Sequence, residues 1–167
     1  MSNKVKAAII GLGWAGCEHL KGYAENPLSD VVAVCDMDQE RANQVAQENN
    51  VPRAFTDHRQ LLEQEDIDVV SIGLPNFLHA PVTIDALNAG KHVLCEKPPA
   101  RNAEEAIAMA KAAEKNGKTL MYALVLRFAG DAQTLRKMVD DGELGQVYFG
   151  KAGYVRRRGI PIGAGGW

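Results

Sequence analysis

Three short segments of the chain carry residues whose types and spacing could do chemistry. The first is GLGWAG at 11–16, a G-x-G-x-x-G run that follows the apolar stretch AAII and precedes a helical pattern. In that context Gly11 permits a tight turn, Gly13 lets the backbone approach a pyrophosphate, and Gly16 allows a helix to pack closely on a strand. The helix would open at Trp14 and Ala15, where unbonded N–H groups and positive potential suit an anion. The second apolar run, VVAVC, ends at Asp36, which stands 36 − 16 = 20 positions beyond the last glycine. That separation suits a carboxylate accepting hydrogen bonds from ribose hydroxyls, so the pair together points to a bound dinucleotide. The plainer alternative is a sharp turn and a helix cap.

Asp36 also bears on which dinucleotide is held. A carboxylate there repels a 2′-phosphate, and Met37 and Asp38 offer no arginine to offset it, which favours NAD. Arg41 lies close enough in sequence to swing in, which keeps NADP open.

The second segment is IGLPNFLHA at 72–80. It falls at the carboxyl end of a fourth predicted strand, on the edge where ligands bind in open α/β sheets. Pro75 would stiffen the loop and Asn76 would cap the next helix, three residues ahead of His79. The third segment, HVLCEKPPA at 92–100, brings a fully apolar strand to Glu96-Lys97-Pro98 on the same edge. A lysine there can present its ammonium to a substrate hydroxyl or carbonyl oxygen beside a nicotinamide, with Glu96 holding its charge and orientation. Lysine does acid–base work at neutral pH only where positive charge or desolvation lowers its pKa, and both arise beside an oxidised nicotinamide in a closed cleft. Taken alone, a Glu-Lys pair before proline is a solvated strand end.

Something must position these segments, and the periodicity supplies it. Short apolar runs alternate with longer amphipathic ones, the pattern of βαβ units and a parallel sheet. Strands are expected at Lys4–Ile10, Val31–Asp36, Ala54–Phe55, Val69–Gly73, His92–Cys95 and Thr119–Leu124, six in all, which is the count of a Rossmann doubly wound sheet. A helix from Trp14 to Ala24 would turn Cys17, Leu20 and Ala24 inward and stop at Asn26-Pro27. Asp38 should cap a helix reaching Glu48, and a later one should bury Leu78, Val82, Ala86 and Ala89 before a left-handed Gly90. Asn102 should cap another with Ala103, Ala106, Ile107, Ala110 and Ala113 inside, closed by Asn116-Gly117. Beyond Leu124 a helix around Leu135, Met138 and Val139 leads through the turn DDGELG to VYFGKAGYV at 147–155, which alternates as an antiparallel strand would.

The bulk numbers agree. Across 167 residues, 24% are charged and the formal net charge is −2, which favours neither nucleic acid nor an anionic membrane as partner. No apolar run approaches the roughly 20 residues of a bilayer span, and the amino terminus lacks a signal-peptide core, so a cytoplasmic protein is expected. Cys17, Cys35 and Cys95 show no metal-ligand spacing, and neither do His19, His58, His79 and His92. No metal site is expected, and each of these residues is given an ordinary packing role.

GLGWAG, Asp36, LPNFLH and CEKPPA, in this order and spacing, closely resemble the Gfo/Idh/MocA oxidoreductases. LVLRF at 124–128 and DDGELGQVYFGKAGYVRRRGIP at 140–161 are similar to that family's crossing into its second domain. The resemblance implies NAD(P)-dependent hydride transfer at a hydroxyl carbon of a sugar, cyclitol or related polyol. Lys97 would then be the catalytic lysine, Glu96 its partner, Pro98 a cis-proline, and Pro75, Asn76 and His79 part of the cofactor loop. Arg127 would lie near the nicotinamide. Residues 1–125 would form the cofactor domain and 126–167 the beginning of an α+β substrate and oligomerisation domain. Members carry a further catalytic histidine in that second domain, and this sequence ends before it. We therefore expect a fragment of a protein about twice as long, inactive alone and homo-oligomeric when full length. Two alternatives stay open: a glycoside hydrolase acting by transient oxidation, and a non-catalytic dinucleotide sensor.

Overall fold

The fold is that of a computed structural model, which describes residues 4–153 and 155. Two compact units divide the chain, Met1–Ala123 and Leu124–Trp167. In the first, six parallel strands alternate with helices: β1 (Val5–Ile10), α1 (Trp14–Glu25), β2 (Ser29–Cys35), α2 (Gln39–Glu48), β3 (Ala54–Phe55), α3 (His58–Leu62), β4 (Val69–Ile72), α4 (Asn76–Asn88), β5 (His92–Cys95), α5 (Ala103–Asn116) and β6 (Leu120–Tyr122). The strand order is β3-β2-β1-β4-β5-β6, the doubly wound order of a Rossmann sheet. The chain starts in the middle, winds outward through β3, then returns to the other side of β1. Where the direction of winding reverses, β1 and β4 lie side by side, and in such sheets the ligand crevice lies outside the carboxyl ends of those two strands.

Strand alternation splits the core into two layers. Ala8 and Ile10 of β1, Ala33 and Cys35 of β2, Val70 and Ile72 of β4, and Val93 and Cys95 of β5 pack under α3, α4 and α5. Ile9 and Val34 face the opposite way, under Leu20 of α1 and Ala42 and Val45 of α2. A strand sends successive side chains to opposite faces, so a sheet covered on both sides must be apolar at nearly every position.

The helix ends follow the expected chemistry. Asp38 accepts from the N–H groups of Glu40 and Arg41, and Asn102 accepts from Glu105. Gly90 (φ +75°) and Gly117 (φ +61°) take the left-handed conformation that only glycine adopts at no steric cost. Three inward stripes differ from expectation. In α1 the buried residues are Gly16 and Leu20, with Ala24 exposed; in α4 Ala89 is exposed, while His79, Ala80, Thr83 and Leu87 join Val82 and Ala86 inside. In α5, Met109, Ala112 and Ala113 are buried and Ile107 is exposed. α4 and α5 pack on each other as well as on the sheet, whereas α1 packs on β1, β2 and β4, and these neighbours set which stripe is covered.

The second unit holds a 3-10 turn, Val125–Phe128, and a helix α6, Gly130–Asp140, whose last turns carry the ion pairs Arg136–Asp140 and Lys137–Asp141. Gly142 (φ +76°) and Gly145 (φ +61°) make the turn in DDGELG. The antiparallel strand expected at 147–155 is corrected: residues 147–153 and 155 are exposed and form none. A strand is stabilised by the ladder it shares with a neighbour, and no described residue pairs with this segment. Residue 154 lies outside the described residues. No helix among the described residues is long and apolar enough to cross a membrane.

Candidate functional site

Backbone hydrogen bonds carry the sheet's register one residue past the ends of its strands. Gly11 N–H donates to the Cys35 carbonyl at 2.8 Å, Gly73 to Ile10 at 2.9 Å, and Glu96 to Ile72 at 3.0 Å. Asp36 N–H is likewise held by the Phe55 carbonyl at 3.1 Å. Gly11, Asp36, the loop from Gly73 to Asn76, and Glu96-Lys97 therefore leave one edge of one rigid sheet.

The glycine turn is built by close approach. A Cβ on Gly16 would stand 1.8 Å from the Gly11 carbonyl oxygen, so α1 reaches β1 only because residue 16 has no side chain. Gly73, which sequence reasoning passed over as a strand end, shares the contact: a Cβ there would lie 2.8 Å from Gly16 N. Its signal was its place directly after VVSI, at the switch point. Gly13 differs, since a Cβ there would meet nothing within 4 Å. It precedes α1 without any side-chain cap, ahead of a first turn that contains no acidic residue. The N–H groups at Trp14, Ala15 and Gly16 are among those an α-helix leaves unbonded, and the space over Gly13 gives an anion access to them. Trp14 is exposed and Ala15 half-buried.

Asp36 is 7% exposed. Its Oδ2 accepts from Leu12 N–H at 2.9 Å and its Oδ1 from Asp38 N–H at 3.0 Å, which ties the glycine turn to the end of β2. Arg41, half exposed on α2, places Nη1 3.3 Å from Asp36 Oδ2. Arg41, expected to lie close enough to swing in, thus sits on the carboxylate. Asp36→Ser would remove the charge that opposes a 2′-phosphate and release Arg41 to meet one. The ratio of NADPH to NADH affinity, from fluorescence titrations, is expected to rise ~10-fold or more. An unchanged ratio would mean that Asp36 does not face the ribose.

On the next loop the structure moves a cap. Pro75 (φ −57°, ψ 143°) is the boundary residue of α4 and its carbonyl accepts from Leu78 N–H at 2.9 Å, so Asn76 is the first helical residue and does not cap. An extended proline can precede a helix but leaves the next residue to start it. The Asn76 Oδ1 atom is buried with no hydrogen-bond partner. A buried amide oxygen without a donor costs ~1–3 kcal/mol, so this atom fits a ligand that donates to it. His79, 1% exposed, does not point to open space: its Nδ1 lies 2.8 Å from the Pro98 carbonyl and its Nε2 2.8 Å from the Leu74 carbonyl. It joins the loop after β4 to the loop after β5. The Lys97-Pro98 bond is cis, as the resemblance implied.

At the end of β5, Glu96 is half-buried and Lys97 exposed. Glu96 Oε2 accepts from the Lys97 backbone N–H at 2.9 Å, and Oε1 lies 3.2 Å from His19 Nε2. His19, given a packing role from sequence, thus enters the site. Its signal was a polar residue one turn inside the helix that follows the glycines. Arg127 stands exposed on the 3-10 turn of the second unit. Cys35 and Cys95 are buried, and desolvation pushes their thiols up to about 12 and about 11, which leaves them inert packing groups at neutral pH. No cluster of three metal-ligating side chains occurs among the described residues.

A crevice at the switch point of a doubly wound sheet, floored by unbonded N–H groups and edged by a buried carboxylate and a partnerless amide oxygen, fits a dinucleotide. Residues 5–124 match the GFO_IDH_MocA family, described as an oxidoreductase family with an NAD-binding Rossmann fold. The chain belongs to that family. It is 39% identical over 167 residues to a D-glucoside 3-dehydrogenase of Escherichia coli (strain K12), covering 99% of this chain and 46% of that protein. It is 36% identical over 146 residues to an inositol 2-dehydrogenase of Salmonella paratyphi B, covering 85% and 43% respectively. Among solved structures it resembles levoglucosan dehydrogenase in complex with NADH, with a TM-score of 0.82 at 31% identity, covering 86% of this chain and 41% of that one. The chain spans less than half the length of the curated relatives it matches.

Proposed function

We propose that this chain seats NAD across the β1–β4 crevice and that its Lys97 exchanges a proton with a hydroxyl of a sugar, cyclitol or related polyol during oxidation of that carbon. The observation that carries the reading is Asn76: a buried, partnerless amide oxygen at the start of α4, on the same carboxyl edge of the sheet from which Lys97 leaves β5. The nicotinamide, when bound, supplies the two-electron acceptor or donor. Everything else falls to the chain. Trp14, Ala15 and Gly16 present N–H groups to the pyrophosphate, and Gly13 lets it approach. Asp36 accepts from the adenosine ribose. Asn76 accepts from the nicotinamide half, while Pro75 and His79 hold its loop in place. Lys97 Nζ holds or releases the proton at the substrate oxygen. Arg41 leaves NADP as a second cofactor for the same seat.

Residues 1–125 are read as the cofactor domain and 126–167 as belonging to the substrate side, supported by the two compact units and by relatives about twice as long. A cytoplasmic homo-oligomer acting on a small polyol goes with this reading. The test uses the full-length protein, with its second domain present, and follows absorbance at 340 nm with NAD and a panel of myo-inositol, scyllo-inositol and alkyl glucosides. One NADH per ketone formed is the expected result. Product without NADH accumulation would indicate hydrolysis by transient oxidation, and NADH binding without turnover on any substrate would indicate a sensor.

A further inference from the structure

We propose that His19 is a positioning residue for Lys97, acting through the carboxylate of Glu96 and joining the cofactor helix to the catalytic loop. Strand parity creates the arrangement. Val70, Ile72, Val93 and Cys95 are buried in the layer under α4 and α5, so Ser71 of β4 and Glu96 after β5 turn to the α1 face. His19 comes down from α1 to meet both. Its side chain is 10% exposed and that of Glu96 is 14% exposed. Nδ1 lies 2.6 Å from Ser71 Oγ and Nε2 lies 3.2 Å from Glu96 Oε1.

The direction of each bond follows from the groups present. An ionised carboxylate can only accept, so Nε2 carries the hydrogen; in a neutral imidazole Nδ1 then accepts, and Ser71 donates to it. Glu96 uses its second oxygen to accept from the Lys97 N–H at 2.9 Å. Ser71, fully buried, fixes the ring; the ring fixes the carboxylate; the carboxylate fixes where the chain leaves β5 as Lys97. The helix that supplies His19 is the one whose first turn faces the dinucleotide seat. Its position against β1 and β4 is set by Gly16, Gly11 and Gly73. Binding at the head of α1 is therefore transmitted to the Lys97 backbone through one imidazole. The catalytic meaning of this link rests on the function proposed for Lys97, whereas the link itself does not.

Amide hydrogen exchange on the 167-residue chain, read by NMR with NADH as probe, tests it. In His19→Leu the Lys97 amide is expected to exchange ~10-fold faster, the scale of losing a charge-assisted hydrogen bond. Ile9, in the core of β1, should be unchanged. His19→Gln, which returns an N–H donor to Glu96, should keep Lys97 within ~3-fold of wild type. NADH should slow Lys97 exchange in the wild type and not in His19→Leu. Unaltered Lys97 exchange in His19→Leu would overturn the proposal, and so would equal acceleration at Ile9, which would mean general loosening. Should His19→Leu fail to fold, Ser71→Ala replaces it: faster exchange at Lys97 than at Ile9 supports the link, and no difference overturns it. Failure of NADH to bind would count against the proposed function while leaving the His19→Leu effect on Lys97 in place.

Discussion

Gly16→Ala is expected to unfold the dinucleotide unit, whereas Gly13→Ala, three residues earlier in the same motif, is expected to leave the fold intact and weaken NADH binding. At Gly16 the added methyl would lie 1.8 Å from the Gly11 carbonyl oxygen and 2.9 Å from its carbon. Both are backbone atoms of the turn, so nothing can rotate away and α1 must lift from β1. Overpacking of ordinary cores costs ~1–3 kcal/mol, and a rigid clash of this depth should exceed that range. Circular dichroism should show a lowered Tm or no cooperative transition. At Gly13 the methyl enters open space and the backbone, φ −72° and ψ −171°, is extended and available to any residue. Tm should stay within ~2 °C. The NADH Kd should rise ~10-fold or more, because the methyl occupies the room the pyrophosphate needs. Wild-type affinity in Gly13→Ala would place the anion elsewhere.

In the full-length protein, Lys97→Met should reduce turnover by at least ~100-fold with the NADH Kd changed less than ~3-fold. Methionine keeps an unbranched stem of similar reach and removes the ammonium. The bond that Glu96 makes at this position is to the Lys97 backbone, so the substitution does not disturb it. Stopped-flow NADH formation alongside fluorescence titration separates the two quantities. A variant that turns over at the wild-type rate would remove Lys97 from the chemistry, and one that loses NADH binding would make it a cofactor ligand instead.

What could be read from the sequence tracked how local each feature is. Helix caps at Asp38 and Asn102 depend on a side chain and N–H groups two or three residues away, and they appear as expected. Asn76 failed the same test because Pro75 immediately before it took the boundary position, and the Oδ1 atom freed by this became the clearest sign of a ligand. The strand at 147–155 failed because alternation is a pattern that a strand needs, while pairing is what stabilises it. Ile107, expected inside, is exposed because a helix stripe is chosen by what lies against it.

The sequence alone determined the six-stranded doubly wound sheet and the order in which Gly11, Asp36, Asn76 and Lys97 come to its edge. Periodicity and strand-end chemistry are carried by neighbouring residues and need no distant partner. Only the tertiary structure decided that Gly73 completes the glycine contact, that Arg41 sits on Asp36, and that His19 reaches both Ser71 and Glu96. The last of these contacts spans 77 positions of the chain, from α1 across β4 to the end of β5. Such a contact exists only after parallel strands are placed side by side, since strand parity then decides which polar side chains share a face.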